Sequence, residues 1–170
     1  MARTEYVVNK IAEYLNFDYS RYSNSTYLYN LLTGIGAIKK NSIVYLSTDS
    51  DIMSAAKLLE EDEAGTFDFG FCPDCLVYCG TNVLCVNEGI NERQILNFMA
   101  TNGCPVVLLY SGCIYIVAEG ITKAKEIESV LRFSVQVMSL NKGHKMDYLT
   151  ENEQRFILNW ESEKYRRNMK

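Results

Sequence analysis

Two strongly apolar runs, Pro105 to Leu109 and Cys113 to Val117, are separated only by Tyr110, Ser111 and Gly112. No other feature constrains the fold as much. A three-residue connection can only reverse the chain, so the two runs form an antiparallel hairpin.

Strands and helices alternate around this hairpin. Ser42 to Leu46 is a short β-rich run, and any of Ser47, Thr48, Asp49 and Ser50 can cap the helix that follows, in which Ile52, Ala55, Ala56 and Leu59 share a face. A loop rich in glycine and acids spans Glu60 to Gly70. Two β-like runs follow, Leu76 to Cys79 and Val83 to Val86, with Gly80, Thr81 and Asn82 placed as a tight turn between them. Asn91 caps a helix carrying Ile95, Leu96 and Met99, which Asn102 and Gly103 end. Thr122 is placed to cap a long helix through Ile127, Val130, Leu131 and Met138, closed by Asn141 and Gly143. Thr150 and Glu153 stand in capping-box spacing before a last helix with Phe156, Ile157 and Trp160 on one face.

The first forty residues carry two helical stripes, Val7, Ile11, Tyr14 and Leu15, then Tyr27, Leu28, Leu31 and Leu32. The GxG at Gly34 and Gly36 follows a helical pattern rather than a strand, which speaks against a dinucleotide loop. The economical reading is an α/β fold, a three-layer α/β/α sandwich with a mixed, largely antiparallel central sheet. It forms a single domain over 1–170, with N-terminal helices in 1–40, the α/β core in 42–140 and a C-terminal helix in 150–170.

At 170 residues the chain can bury one core without disulfides or metals. Its 17 Lys and Arg against 21 Asp and Glu, with no long basic run, give no footprint for nucleic acid. The acidic run Glu60, Glu61, Asp62, Glu63 reads as a solvated segment. No apolar window has the length of a membrane span and MARTEY lacks a signal-peptide core, so the chain reads as cytoplasmic. In that compartment the six cysteines are expected as reduced thiols.

Three of those cysteines stand in CPDCLVYCG, Cys72 to Gly80, while the whole chain has one histidine, His144. Cys72 and Cys75 form a CxxC pair, open to a redox dithiol or half of a zinc site. Against zinc, no second CxxC exists, and Cys79, Cys85, Cys104 and Cys113 would have to complete the site from apolar strands. Against redox, the strand-like LVYCG after Cys75 is not the start of a helix. His144, in NKGHKM, reads as a solvated loop residue. Ser111 has neither a GxSxG elbow nor a histidine partner. The terminal cluster of Trp160, Glu161, Glu163, Lys164, Tyr165 and Arg166 is either a solvated amphipathic helix or a docking edge, which Trp, Tyr and Arg favour.

CPDCLVYCGTNVLCV resembles the PDHxVYCG segment in the second half of some two-domain proteins of the class II aldolase and adducin family. LTENEQRFILNWESEKYR is similar to their terminal helix, and PVVLLYSGCIYIV with GITKAKEIESVLRF to their strand, NHG turn, strand and helix segment. The match runs from about residue 72 to 170. It implies a three-layer sandwich with a largely antiparallel sheet, and enzymes that handle sugar phosphates through a zinc ion held by three histidines, two from an HxH pair and one from the NHG turn. This chain has no HxH. The turn is filled by Tyr110, Ser111, Gly112 or Ser111, Gly112, Cys113, and Cys75 stands where the PDH histidine would be. The resemblance therefore implies a degenerate metal site with no cofactor of its own. It further implies an accessory domain that packs against a zinc-bearing aldolase domain or forms a homo-oligomer through Trp160, Glu161, Tyr165 and Arg166. The alternative is a stand-alone carbohydrate-processing enzyme with a rebuilt site, for which Asp74, Cys75, Tyr78, Ser111 and Gly112 are the candidate ligand-binding residues.

Overall fold

The computed structural model describes residues 6–7, 10–11, 13, 20–61, 68–86, 89–141 and 146–159. Helix α1 (Ser20–Gly34) leads into β1 (Ile43–Leu46) and α2 (Ser50–Glu61). Then come α3 (Pro73–Cys79), β2 (Leu84–Val86), α4 (Glu92–Asn102), the hairpin β3 (Val107–Tyr110) and β4 (Cys113–Ala118), α5 (Ile121–Leu140) and α6 (Glu151–Asn159).

The hairpin expected from the spacing is the centre of the sheet. Its order is β1-β4-β3-β2, antiparallel at β1/β4 and β3/β4 and parallel at β2/β3. Leu109 faces Ile114 across the hairpin, and Leu46 faces Tyr115. Alternation along these strands divides the core in two, because successive side chains point to opposite faces. Val107, Leu109, Ile114 and Ile116 meet Ile52 and Ala56 of α2, Cys75, Leu76 and Cys79 of α3, and Ala124, Ile127, Leu131 and Val135 of α5. Leu108, Cys113 and Tyr115 meet Leu28 and Leu32 of α1 and Ile95 of α4 on the other face. This is an α/β fold in three layers around a mixed, largely antiparallel sheet.

Several helix starts follow from their caps. Of the four candidates before α2, Asp49 is the one used, its Oδ1 accepting from the amides of Asp51 and Ile52 at 3.0 and 3.2 Å. Asn91 and Gln94 form a reciprocal capping box at α4. Thr150 and Glu153 form the one expected at α6, the Thr150 amide donating to Glu153 Oε2 at 2.7 Å. At α5 the expectation fails: Gly120 holds the cap position without a side-chain bond, and Thr122 lies inside the helix.

The larger correction concerns Leu76 to Cys79, which form a helix and not a strand. Pro73 occupies the first helical position with its φ already set, after an extended Cys72. The residues this segment buries are Cys75, Leu76 and Cys79, at the i, i+1, i+4 steps of one helical face. Gly80, at φ 83°, ends the turn in a conformation that costs glycine little. Gly80 to Asn82 is consequently a helix-to-strand connection. β2 pairs in parallel with β3 through the α4 crossover.

Candidate functional site

Cys75 is fully buried where α3 packs on α5. Its Sγ lies 2.9 Å from Ser134 Oγ, and the Ser134 hydroxyl donates to the Val130 carbonyl at 2.9 Å. A hydroxyl has one hydrogen, so in the Cys75 contact the thiol is the donor. Burial pushes the Cys75 thiol up to about 12, opposed in part by the hydrogen bond that Ser134 can give to the thiolate. The resting group is thus a thiol held by a serine. Burial raises Cys79, one turn further on, as well.

On the same helix Asp74 is exposed in the first turn and Tyr78 is half-buried. Lys123, from the first turn of α5, places its Nζ 4.1 Å from the Tyr78 ring centroid and 3.0 Å from Glu126 Oε2. This pair stands on the wall of a groove of about 1070 Å³ between α3, the start of α5 and the end of α6. Leu76, Val106, Val117, Ile127 and Leu158 give it an apolar floor. Along the rim, Asn102 Oδ1 accepts from Thr81 Oγ1 at 3.2 Å and from Asn82 Nδ2 at 2.7 Å.

Ser111 and Gly112 lie elsewhere. They form the β3–β4 turn with φ of 48° and 66°, Ser111 exposed. Gly80, at the end of α3, lies against Val106, before the start of β3, whereas this turn follows its far end. Of the five candidate ligand-binding residues, Asp74, Cys75 and Tyr78 share one helix, only Tyr78 lines the groove, and Ser111 and Gly112 do not join them. Trp160, Glu161, Tyr165, Arg166 and His144 lie outside the described residues.

The structure adds a polar cluster on the opposite side of α5. Glu128, 8% exposed, accepts from Ser47 Oγ at 2.7 Å, Lys125 Nζ at 2.7 Å and Tyr45 Oη at 3.3 Å, and Lys125 also bonds Tyr45. The bonds to Glu128 and then Tyr45 hold the Lys125 ammonium above its usual range. A signal for Glu128 stood in the sequence: it is a charge beside Ile127 and Leu131 on the apolar face of a long helix.

A zinc ion of the kind that the aldolase resemblance implies does not fit these residues. One histidine cannot supply three imidazoles, and Cys75, at the PDH position, is enclosed and bonded to Ser134. Among the described residues no three His, Cys, Asp or Glu side chains gather to hold a metal. Cys79 and Cys104, expected in strands, lie in α3 and in an exposed connection. Among the described residues no helix is long and apolar enough to cross a membrane.

No family model and no curated protein matches the sequence. The structure is similar to that of YgbL from Klebsiella pneumoniae, described as a candidate aldolase/epimerase/decarboxylase, with 13% identity, 67% of this chain covered and a TM-score of 0.49. YgbL from Escherichia coli, described in the same words, gives 15%, 69% and 0.48. The chain spans 56% of the length of either structure.

Proposed function

We propose that this chain is an aldolase-like accessory domain, associated with sugar or sugar-phosphate metabolism, that packs against a zinc-bearing aldolase half or against copies of itself. The observation that carries this reading is Cys75. The position at which the resemblance calls for a histidine is closed off from solvent, and its thiol bonds to Ser134. With no HxH pair and no histidine in the β3–β4 turn either, the frame of the domain lacks the ligands that its chemistry would need. The sequence of the terminal segment, with Trp160, Tyr165 and Arg166, is of the composition that interfaces favour.

The test is the metal content and solution mass of the purified chain. No stoichiometric zinc is expected, together with an oligomeric mass by light scattering or co-elution with a zinc-bearing aldolase domain. Trp160→Ala should lower that mass and leave the monomer folded. Stoichiometric zinc overturns the reading, and so does a monomer that binds no such domain. A second reading, a stand-alone carbohydrate-binding or carbohydrate-processing protein, is favoured by the groove beside Tyr78, whose size is just above the roughly 300–1,000 Å³ range of ligand sites. Saturable sugar-phosphate binding by the monomer, lost in Tyr78→Ala, would select it.

A further inference from the structure

We propose that Cys72 and Cys75 are a redox-active dithiol that closes to a disulfide by exchange with a small disulfide such as oxidised glutathione. A strand after Cys75 would argue against such a pair; the chain forms α3 there instead. Cys72 is the residue before the helix, Pro73 its first and Cys75 its third. Residues three apart across a helical turn are neighbours, with Cβ atoms about 5–6 Å apart. Both cysteines are free, and they stand at the cap and the third position of the same short helix. Closure has to draw the two Cβ atoms to about 3.5–4.5 Å, and the extended Cys72, outside the helix, is the side that moves.

Exposure divides the labour between them. Cys72 is half-buried and open to a reagent, whereas Cys75 is sealed beneath it. In the first step the Cys72 thiolate attacks one sulfur of the small disulfide. The S–S bond breaks, one thiolate departs, and Cys72 carries a mixed disulfide. In the second step Cys75 gives up its proton to that departed thiolate and attacks Cys72 Sγ. The second small thiolate leaves and takes up the proton Cys72 had lost. The dithiol is oxidised by two electrons and the small disulfide is reduced to two thiols.

Ser134 is the positioning residue for the second step. At rest its hydrogen is committed to Val130 and its oxygen accepts from the Cys75 thiol. When Cys75 loses its proton, rotation of the hydroxyl from the Val130 carbonyl toward Sγ supplies a donor to the thiolate. No other side-chain bond to Cys75 from α5 is present among the described residues.

The test treats the full chain, with the exposed Cys85 and Cys104 changed to serine, with oxidised glutathione, and reads intact mass and peptide linkage. The parent should lose two hydrogens, keep no glutathione and show a Cys72–Cys75 link. Cys75→Ser should trap glutathione on Cys72, and Cys72→Ser should leave Cys75 unmodified. Ser134→Ala should form the mixed disulfide at the parent rate but close it roughly tenfold more slowly, the loss of about one charge-assisted hydrogen bond. A parent that stops at the adduct, or whose Cys72 does not react, overturns the proposal. Equal closure with and without the Ser134 hydroxyl overturns the role given to Ser134. Should Cys75→Ser fail to fold, the linkage in the parent and the Cys72→Ser variant still decide.

Discussion

Gln154 lies over Gly70 so closely that a methyl group on that glycine would stand 2.5 Å from Gln154 Nε2. The same Nε2 donates to the Leu149 carbonyl at 2.9 Å, and the Leu149 amide donates to the Gly70 carbonyl at 2.7 Å. Helix α6 has no fully buried residue, so this clasp and the half-buried Ile157 and Leu158 hold it to the body. Gly70→Ala is expected to cost about 1 kcal/mol, the worth of the Gln154–Leu149 bond it displaces, because the atoms in the way are the ends of flexible side chains, with the loss concentrated in α6. Hydrogen exchange at the Leu149 amide, alongside the urea midpoint, reads it. Adding Gln154→Ala should recover part of the loss, and a double-mutant cycle with no coupling would show that the glycine is not needed for docking.

The central hairpin was legible because its spacing leaves one topology open. The caps at Asp49, Asn91 and Thr150 were legible because a single side chain in the right place satisfies the free amides of a helix start. The helix Pro73–Cys79 was not. LVYC has strand propensity, and what overrides it is tertiary: α5, arriving some 59 residues later, covers Cys75 and gives the segment a helical buried face. For the same reason the sequence could single out Cys75 without showing that Ser134 holds it. The two residues meet only once α3 is laid against α5.

Stability should fall on the alkaline side. Burial pushes Cys75 and Tyr115 up to about 12 and raises Cys79 too. The unfolded chain releases these protons near pH 9 for the thiols and pH 10 for the phenol, while the folded chain keeps them. Each group therefore contributes stability that is complete below its unfolded value and is lost as pH rises toward its folded one. By pH 10 the loss should be on the order of 1 kcal/mol for each buried thiol. Urea midpoints between pH 7.5 and about 10 measure it, and Cys79→Ala should flatten the slope. A stability independent of pH across that window would contradict the burial of all three groups.

Glu128 ties the β1–α2 connection to α5 through Ser47, Tyr45 and Lys125. Glu128→Ala leaves the buried Ser47 hydroxyl without that acceptor and should cost about 1–3 kcal/mol. Lys125→Ala should cost under about 1 kcal/mol, because the lysine is more than half exposed and water replaces it. The order of the two urea midpoints is the readout. Equal losses would mean that the ion pair, and not the buried Ser47 bond, holds the connection.

Placing a histidine at Cys75 should not create a metal site. At Cys75 an imidazole has to enter a position with no exposure, between Leu76, Cys79 and the inner face of α5, where only Ser134 offers a polar partner. The added volume and the second, unpaired ring nitrogen both act against folding. Cys75→His is expected to lose about 2–4 kcal/mol and to bind no more zinc than the parent. Thermal melting and metal analysis on the same sample check both parts. A stable variant that takes up stoichiometric zinc would mean that the position of Cys75 admits an imidazole and that groups outside the described residues complete a metal site.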